Sequence, residues 1–163
     1  MANAKTATTD KNLATAYVED VCKGIRERFT VEKCEGYMGS VGFEGCNSGS
    51  FLGATELAAT VRKQLKDNLP LAKSAVSVRK HSYSGGRSLY VTLKLPQEWK
   101  KKDVSPYSTW NGTRDRVLDE VFEPEGIAVI RATEAIVNSY NYNHSNGMVD
   151  YFSAGFYWHL KIA

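Results

Sequence analysis

Residues 74–95, SAVSVRKHSYSGGRSLYVTLKL, constrain the fold more than any other stretch. Val76 and Val78 alternate with Ser77, Arg79 and His81. Further on, Leu89, Val91, Leu93 and Leu95 alternate with Ser88, Tyr90, Thr92 and Lys94. A period of two marks strands with one buried and one open face. Between them Tyr83-Ser84-Gly85-Gly86 carries two residues that adopt positive φ without steric cost, as a tight hairpin turn requires. An isolated hairpin is marginal in water, so the remaining chain has to add strands and cover the apolar face.

The segments on either side meet that need. Lys11 to Phe29 has apolar residues Ala14, Val18, Val21, Cys22, Ile25 and Phe29 at helical steps, with Thr9 or Asp10 as the expected N-cap. Residues 1–10 read as a short disordered lead. The stretch 36–53 is rich in glycine and reads as a loop, mobile or loosely paired. It has no lysine for a Walker loop and no strict Gly-x-Gly for a dinucleotide fingerprint. Thr55 then opens a helix in which Leu57, Val61, Leu65 and Leu69 repeat every four residues until Pro70. Beyond the hairpin, Trp99 is expected against the sheet edge. A short helix spans 113–122, Glu123-Pro124-Glu125-Gly126 interrupts it, and a longer helix covers 128–140. Tyr151 to Ile162 reads as a last strand. This order predicts a single α+β domain over 1–163: a small antiparallel sheet built on the central hairpin (about 74–95) plus the C-terminal strand, with helices on one face.

Charge is unevenly spread over a chain whose net charge is only +3. Residues 76–102 hold seven Lys or Arg against one Glu, whereas 103–163 hold four basic and eight acidic residues. A local excess of this kind attracts polyanions. Three cysteines, Cys22, Cys34 and Cys46, are an odd number without Cys-x-x-Cys spacing. They are read as reduced and structural, with neither a disulfide framework nor a metal site. No run of apolar residues suits a membrane helix, and MANAKTATTDKN lacks the apolar centre of a signal peptide, so a cytoplasm is the expected compartment.

No catalytic motif is present. His144 with Asp150 is the best titratable pair, and an enzyme centred on it is the weakest of three readings. His159, between Trp158 and Leu160, reads as a strand residue. A binding surface is better supported: Arg79, His81 and Tyr83 share one side of the first strand, and Tyr90 and Lys94 share that side of the second. With Arg87, Lys100, Lys101 and Lys102 they make a basic, tyrosine-bearing surface suited to phosphates and stacked bases. No catalytic residue, metal or cofactor is nominated.

Thr55-Glu-Leu-Ala, Val61-Arg-Lys, Val76-Ser-Val-Arg, Tyr83-Ser-Gly-Gly-Arg-Ser-Leu-Tyr-Val and Tyr142-Asn-His-Ser-Asn-Gly-Met-Val-Asp-Tyr-Phe resemble one of the large polyvalent protein-associated domains. The likeness covers roughly 55–162, with 96–126 as an apparent insertion. It implies a phage or conjugative-element protein acting in the host cytoplasm on host defence or transferred DNA, and it brings no catalytic residues. The leading expectation is a non-enzymatic protein that binds a host macromolecule through the hairpin face and the Gly-rich loop. A nucleic-acid-binding module is the alternative.

Overall fold

The computed structural model describes residues 3–50, 52–84, 86–101, 107–110, 115–146, 148 and 154–163. Helix α1 (Asn3–Arg28) leads into β1 (Val31–Glu35) and β2 (Val41–Gly45). Then come α2 (Ala54–Asn68), β3 (Val76–Tyr83), β4 (Gly86–Leu93), β5 (Tyr107–Trp110), α3 (Asp115–Val121), α4 (Pro124–Ser139), β6 (Tyr142–Asn143) and β7 (Tyr157–Ile162). The protein is α+β. A four-stranded sheet has the order β3-β4-β7-β5, and a smaller one has the order β1-β2-β6.

The central hairpin pairs as its alternation requires, from Val76 opposite Leu93 to Tyr83 opposite Gly86. The C-terminal strand joins the same sheet, but parallel to β4, with Leu89 beside Trp158 and Val91 beside Leu160. The sheet is therefore mixed rather than antiparallel. Parallel neighbours need a long crossover, and residues 94–156 supply one that includes α3 and α4. The same segment adds β5, antiparallel to β7, as the outer strand.

One face of the large sheet is apolar and covered. Val76, Val78, Leu89, Val91, Leu93, Trp158, Leu160 and Ile162 are all buried there. Helix α2 packs along β3 through Leu57, Val61 and Leu65. Helix α4 lies over β7, where Trp158 Nε1 donates to Asn138 Oδ1 at 3.0 Å. Its outer side meets Val18, Cys22 and Ile25 of α1. Two covered sides explain why α4 buries Val129, Ile130, Ala132, Thr133, Ile136 and Val137 rather than a narrow stripe. Each large apolar side chain so buried contributes about 1.5–3 kcal/mol.

Several expectations change. The helix begins at Asn3, not near Lys11, so the expected caps Thr9 and Asp10 lie inside it. Ala4 and Ala7 are strong helix formers that carry it back through the lead. The Gly-rich stretch is not a plain loop, because β2 lies within it and pairs fully with β1. Glycine is tolerated there where the sheet meets α4. A Cβ on Gly45 would come within 2.2 Å of the Asn138 carbonyl oxygen. Gly45 and Asn47 instead donate their N–H groups to the carbonyls of Asn141 (2.8 Å) and Ser139 (2.7 Å), satisfying the end of α4. Pro124 starts α4, since proline fits the first helical position. Trp99 borders a cavity with Val18 and Glu125 and is partly buried against the core. Phe156, Trp158, Leu160 and Ile162 are all buried, in alternation with Tyr157, His159 and Lys161. Among the described residues no helix is long and apolar enough to cross a membrane.

Candidate functional site

Because α2 and α4 cover one face of the large sheet, strand alternation leaves Ser77, Arg79, His81 and Tyr83 of β3 on the other. Registration then sets the rows. Arg79 lies opposite Tyr90, which lies beside His159; Ser77 leads through Thr92 to Lys161; His81 leads through Ser88 to Tyr157. The rings form a chain across the strands. His81 stacks on Tyr83 with centroids 5.9 Å apart, Tyr90 meets His81 edge-on at 6.5 Å, and His159 lies 5.8 Å from Tyr90. A shallow depression of about 580 Å³ runs along Arg79, His81, Tyr90, Thr92 and Lys161.

Electrostatics here is one-sided. The side chains of Arg79 and Lys161 are exposed, and none of the described strand positions on this face is acidic. Burial, reinforced by the Lys161 cation, holds His159 below the usual imidazole range. The ring is therefore a neutral stacking surface near neutral pH. By contrast, a larger groove of about 610 Å³ between α1 and α4 is lined by Glu19, Asp20 and Asp119 with Lys23, Arg26 and Arg131. Those charges cancel and favour no charged ligand.

Of the residues nominated from sequence, Arg79, His81, Tyr83 and Tyr90 converge on the open face. Lys94 is exposed one residue beyond β4 and continues the same alternation. Arg87 does not belong. It is in phase with Leu89 and Val91, and its guanidinium donates to the backbone carbonyls of Gly155 (3.1 Å) and Leu52. Lys100 and Lys101 are also tied down, their ammonium groups donating to the carbonyls of Ala163 and Asp119, each at 2.8 Å. Lys102 lies outside the described residues, as does Asp150, the expected partner of His144. His144 pairs instead with Glu44, Nε2 to Oε1 at 2.8 Å. The residues missed are Tyr157, His159 and Lys161. Their alternation with Trp158, Leu160 and Ile162 is visible in the sequence, but the neighbour they share is not.

The cysteines are free. Burial pushes the Cys22 thiol up to about 11 despite the cation of Arg26, which suits an inert core position. Burial, and then the Glu44 carboxylate, also raise the Cys34 thiol, the reverse of what a thiolate nucleophile needs. The chain matches no protein-family model, curated protein or solved structure at a significant level.

Proposed function

We propose that this chain is a non-enzymatic binding module that takes single-stranded nucleic acid on the open face of its large sheet. One observation carries the reading: Arg79, His81, Tyr83, Tyr90, His159 and Lys161 share one face of the sheet, and among the described strand positions on that face none is a carboxylate. Strands about 4.8 Å apart present the rings at intervals that splayed bases can follow, while cations at the margin meet phosphates. Duplex DNA keeps its bases stacked inside and gains only the phosphate contacts. The likeness of 55–162 to large polyvalent protein-associated domains supports placing the module in a phage or conjugative element, where transferred single strands are a natural ligand.

Fluorescence anisotropy with single- and double-stranded oligonucleotides over a salt series tests this. Arg79, Lys94 and Lys161 as three phosphate contacts predict a log–log salt slope of about −2 for the single strand. Absence of single-strand binding at low salt would sink the reading.

A second reading, docking to a host protein, is favoured by the turn between β1 and β2. Tyr37, Met38 and Val41 are exposed there, Met38 at 72% and Val41 at 80%. Apolar side chains clustered at a hairpin tip suit a protein partner. Its test is capture of a host protein by the native chain and not by a Met38→Ser, Val41→Ser variant.

A further inference from the structure

The small sheet gathers three chemically reactive side chains from distant parts of the chain: Cys34 of β1, Glu44 of β2 and His144, one residue past β6. Cys34 lies opposite Gly42, and continuing the β2–β6 register by one residue brings Gly42 beside His144. Glycine at the middle position leaves a gap between thiol and imidazole. A Cβ on Gly42 would approach Cys34 Sγ to 3.3 Å and the Asn143 carbonyl oxygen to 2.4 Å. The thiol sulfur, a carboxylate oxygen and a ring nitrogen all lie within 4.8 Å of one another.

We propose that Cys34, Glu44 and His144 form a three-donor site for a divalent cation of the zinc class. Donor chemistry selects the ion: a thiolate and an imidazole favour zinc over magnesium or calcium, and the carboxylate completes neutralisation of a 2+ charge. Tetrahedral zinc, with bonds of about 2.0–2.3 Å, holds its donors roughly 3.3–3.6 Å apart. From a present spread of up to 4.8 Å the donors have to draw together by about 1.2–1.5 Å to reach that spacing, and none of the three side chains is fully buried. The ion takes the place of the hydrogen bond between His144 and Glu44.

The backbone already holds the donors together. Tyr37 N–H donates to the His144 carbonyl at 3.0 Å, and Ser40 Oγ donates to the Ser145 carbonyl at 3.0 Å. Tyr142 lies against the His144 ring, centroids 5.2 Å apart, and limits its rotation. Three protein donors on a solvent-facing sheet leave the fourth position to water or to a group from a partner. Spacing rules do not find such a site, because each donor comes from a different element.

Cobalt(II) reports the site directly. Chelator-treated full-length chain, titrated with cobalt(II), is expected to develop d–d bands of tetrahedral intensity and a sulfur-to-cobalt charge-transfer band at one equivalent, both lost when zinc(II) is added. Cys34→Ser removes the charge-transfer band. Glu44→Gln and His144→Gln each weaken cobalt affinity by at least the tenfold to hundredfold that loss of an outer-shell partner costs. Cys46→Ser leaves both bands in place. Circular dichroism of each variant separates loss of a donor from loss of the fold. Absence of tetrahedral bands in the native chain overturns the proposal, as does a charge-transfer band that survives Cys34→Ser or disappears with Cys46→Ser.

Discussion

The carboxamide of Asn141 and the backbone of Phe156 hydrogen-bond to each other in both directions. Nδ2 donates to the Phe156 carbonyl at 2.9 Å, and Oδ1 accepts from the Phe156 N–H at 3.0 Å. The same Oδ1 accepts from Tyr142 N–H at 2.9 Å. One buried side chain thus joins the end of α4, the start of β6 and the approach to β7. Asn141→Ala would leave three backbone groups without partners in a site only 4% exposed. A loss of about 2–4 kcal/mol in urea unfolding is expected. A loss below about 1 kcal/mol would mean that water replaces the carboxamide.

Arg79 and Tyr90 face each other across the hairpin and are expected to fail differently. Arg79→Ala should flatten the single-strand salt slope by about 0.7 while binding weakens for every sequence. Tyr90→Ala should leave the slope unchanged and cost about 1–3 kcal/mol of affinity through lost stacking. Equal slopes for the native chain and Arg79→Ala would remove Arg79 from the contact.

Arg87 gives the opposite pattern. Its guanidinium spans the Leu52 and Gly155 carbonyls, so Arg87→Ala should lower stability by about 1–3 kcal/mol. Oligonucleotide affinity of the folded variant should be unaffected. A variant as stable as the native chain but weaker in binding would return Arg87 to the interface.

Gly45→Ala tests the junction between the small sheet and α4. The added methyl meets the Asn138 and Ser139 carbonyl oxygens at 2.2 and 2.3 Å, and backbone cannot rotate away. Destabilisation of about 1–3 kcal/mol follows from overpacking. Gly49→Ala is the control, because nothing lies within 4 Å of its Cβ position. It should change the melting temperature little.

His159 links stability to pH. Its folded-state pKa is depressed, so the unfolded chain takes up the proton first as pH falls. The neutral ring's contribution is complete above the ordinary imidazole value of about 6.5. It is lost as pH falls through the lower folded-state value. Urea midpoints measured from pH 8 to pH 5 should decline less in His159→Gln than in the native chain. Parallel curves would show that this ring does not contribute.

Much of the large sheet was legible because alternation states which side each residue takes. By that logic Arg87, in phase with Leu89 and Val91, was readable as inward-facing, and counting charge alone obscured it. The small sheet was not legible. Val41 to Gly45 holds two glycines in five residues, and its pairing depends on backbone contacts with the end of α4 that no local pattern encodes. Cys34 and His144 meet only through tertiary pairing. Nor does a strand's own sequence state whether it joins its neighbour parallel or antiparallel, so β7 revealed its inward face and not its direction.

That direction matters while the chain is being made. Both strands of the hairpin exist once Leu93 has been added, but β4 gains its second neighbour only when residues 157–162 have followed. At about 5–20 residues per second the interval is several seconds. Throughout it Leu89, Val91 and Leu93 sit on a strand with an unpaired edge, the arrangement most prone to pair with another chain. Demand for chaperones therefore falls on the nascent protein rather than the finished one.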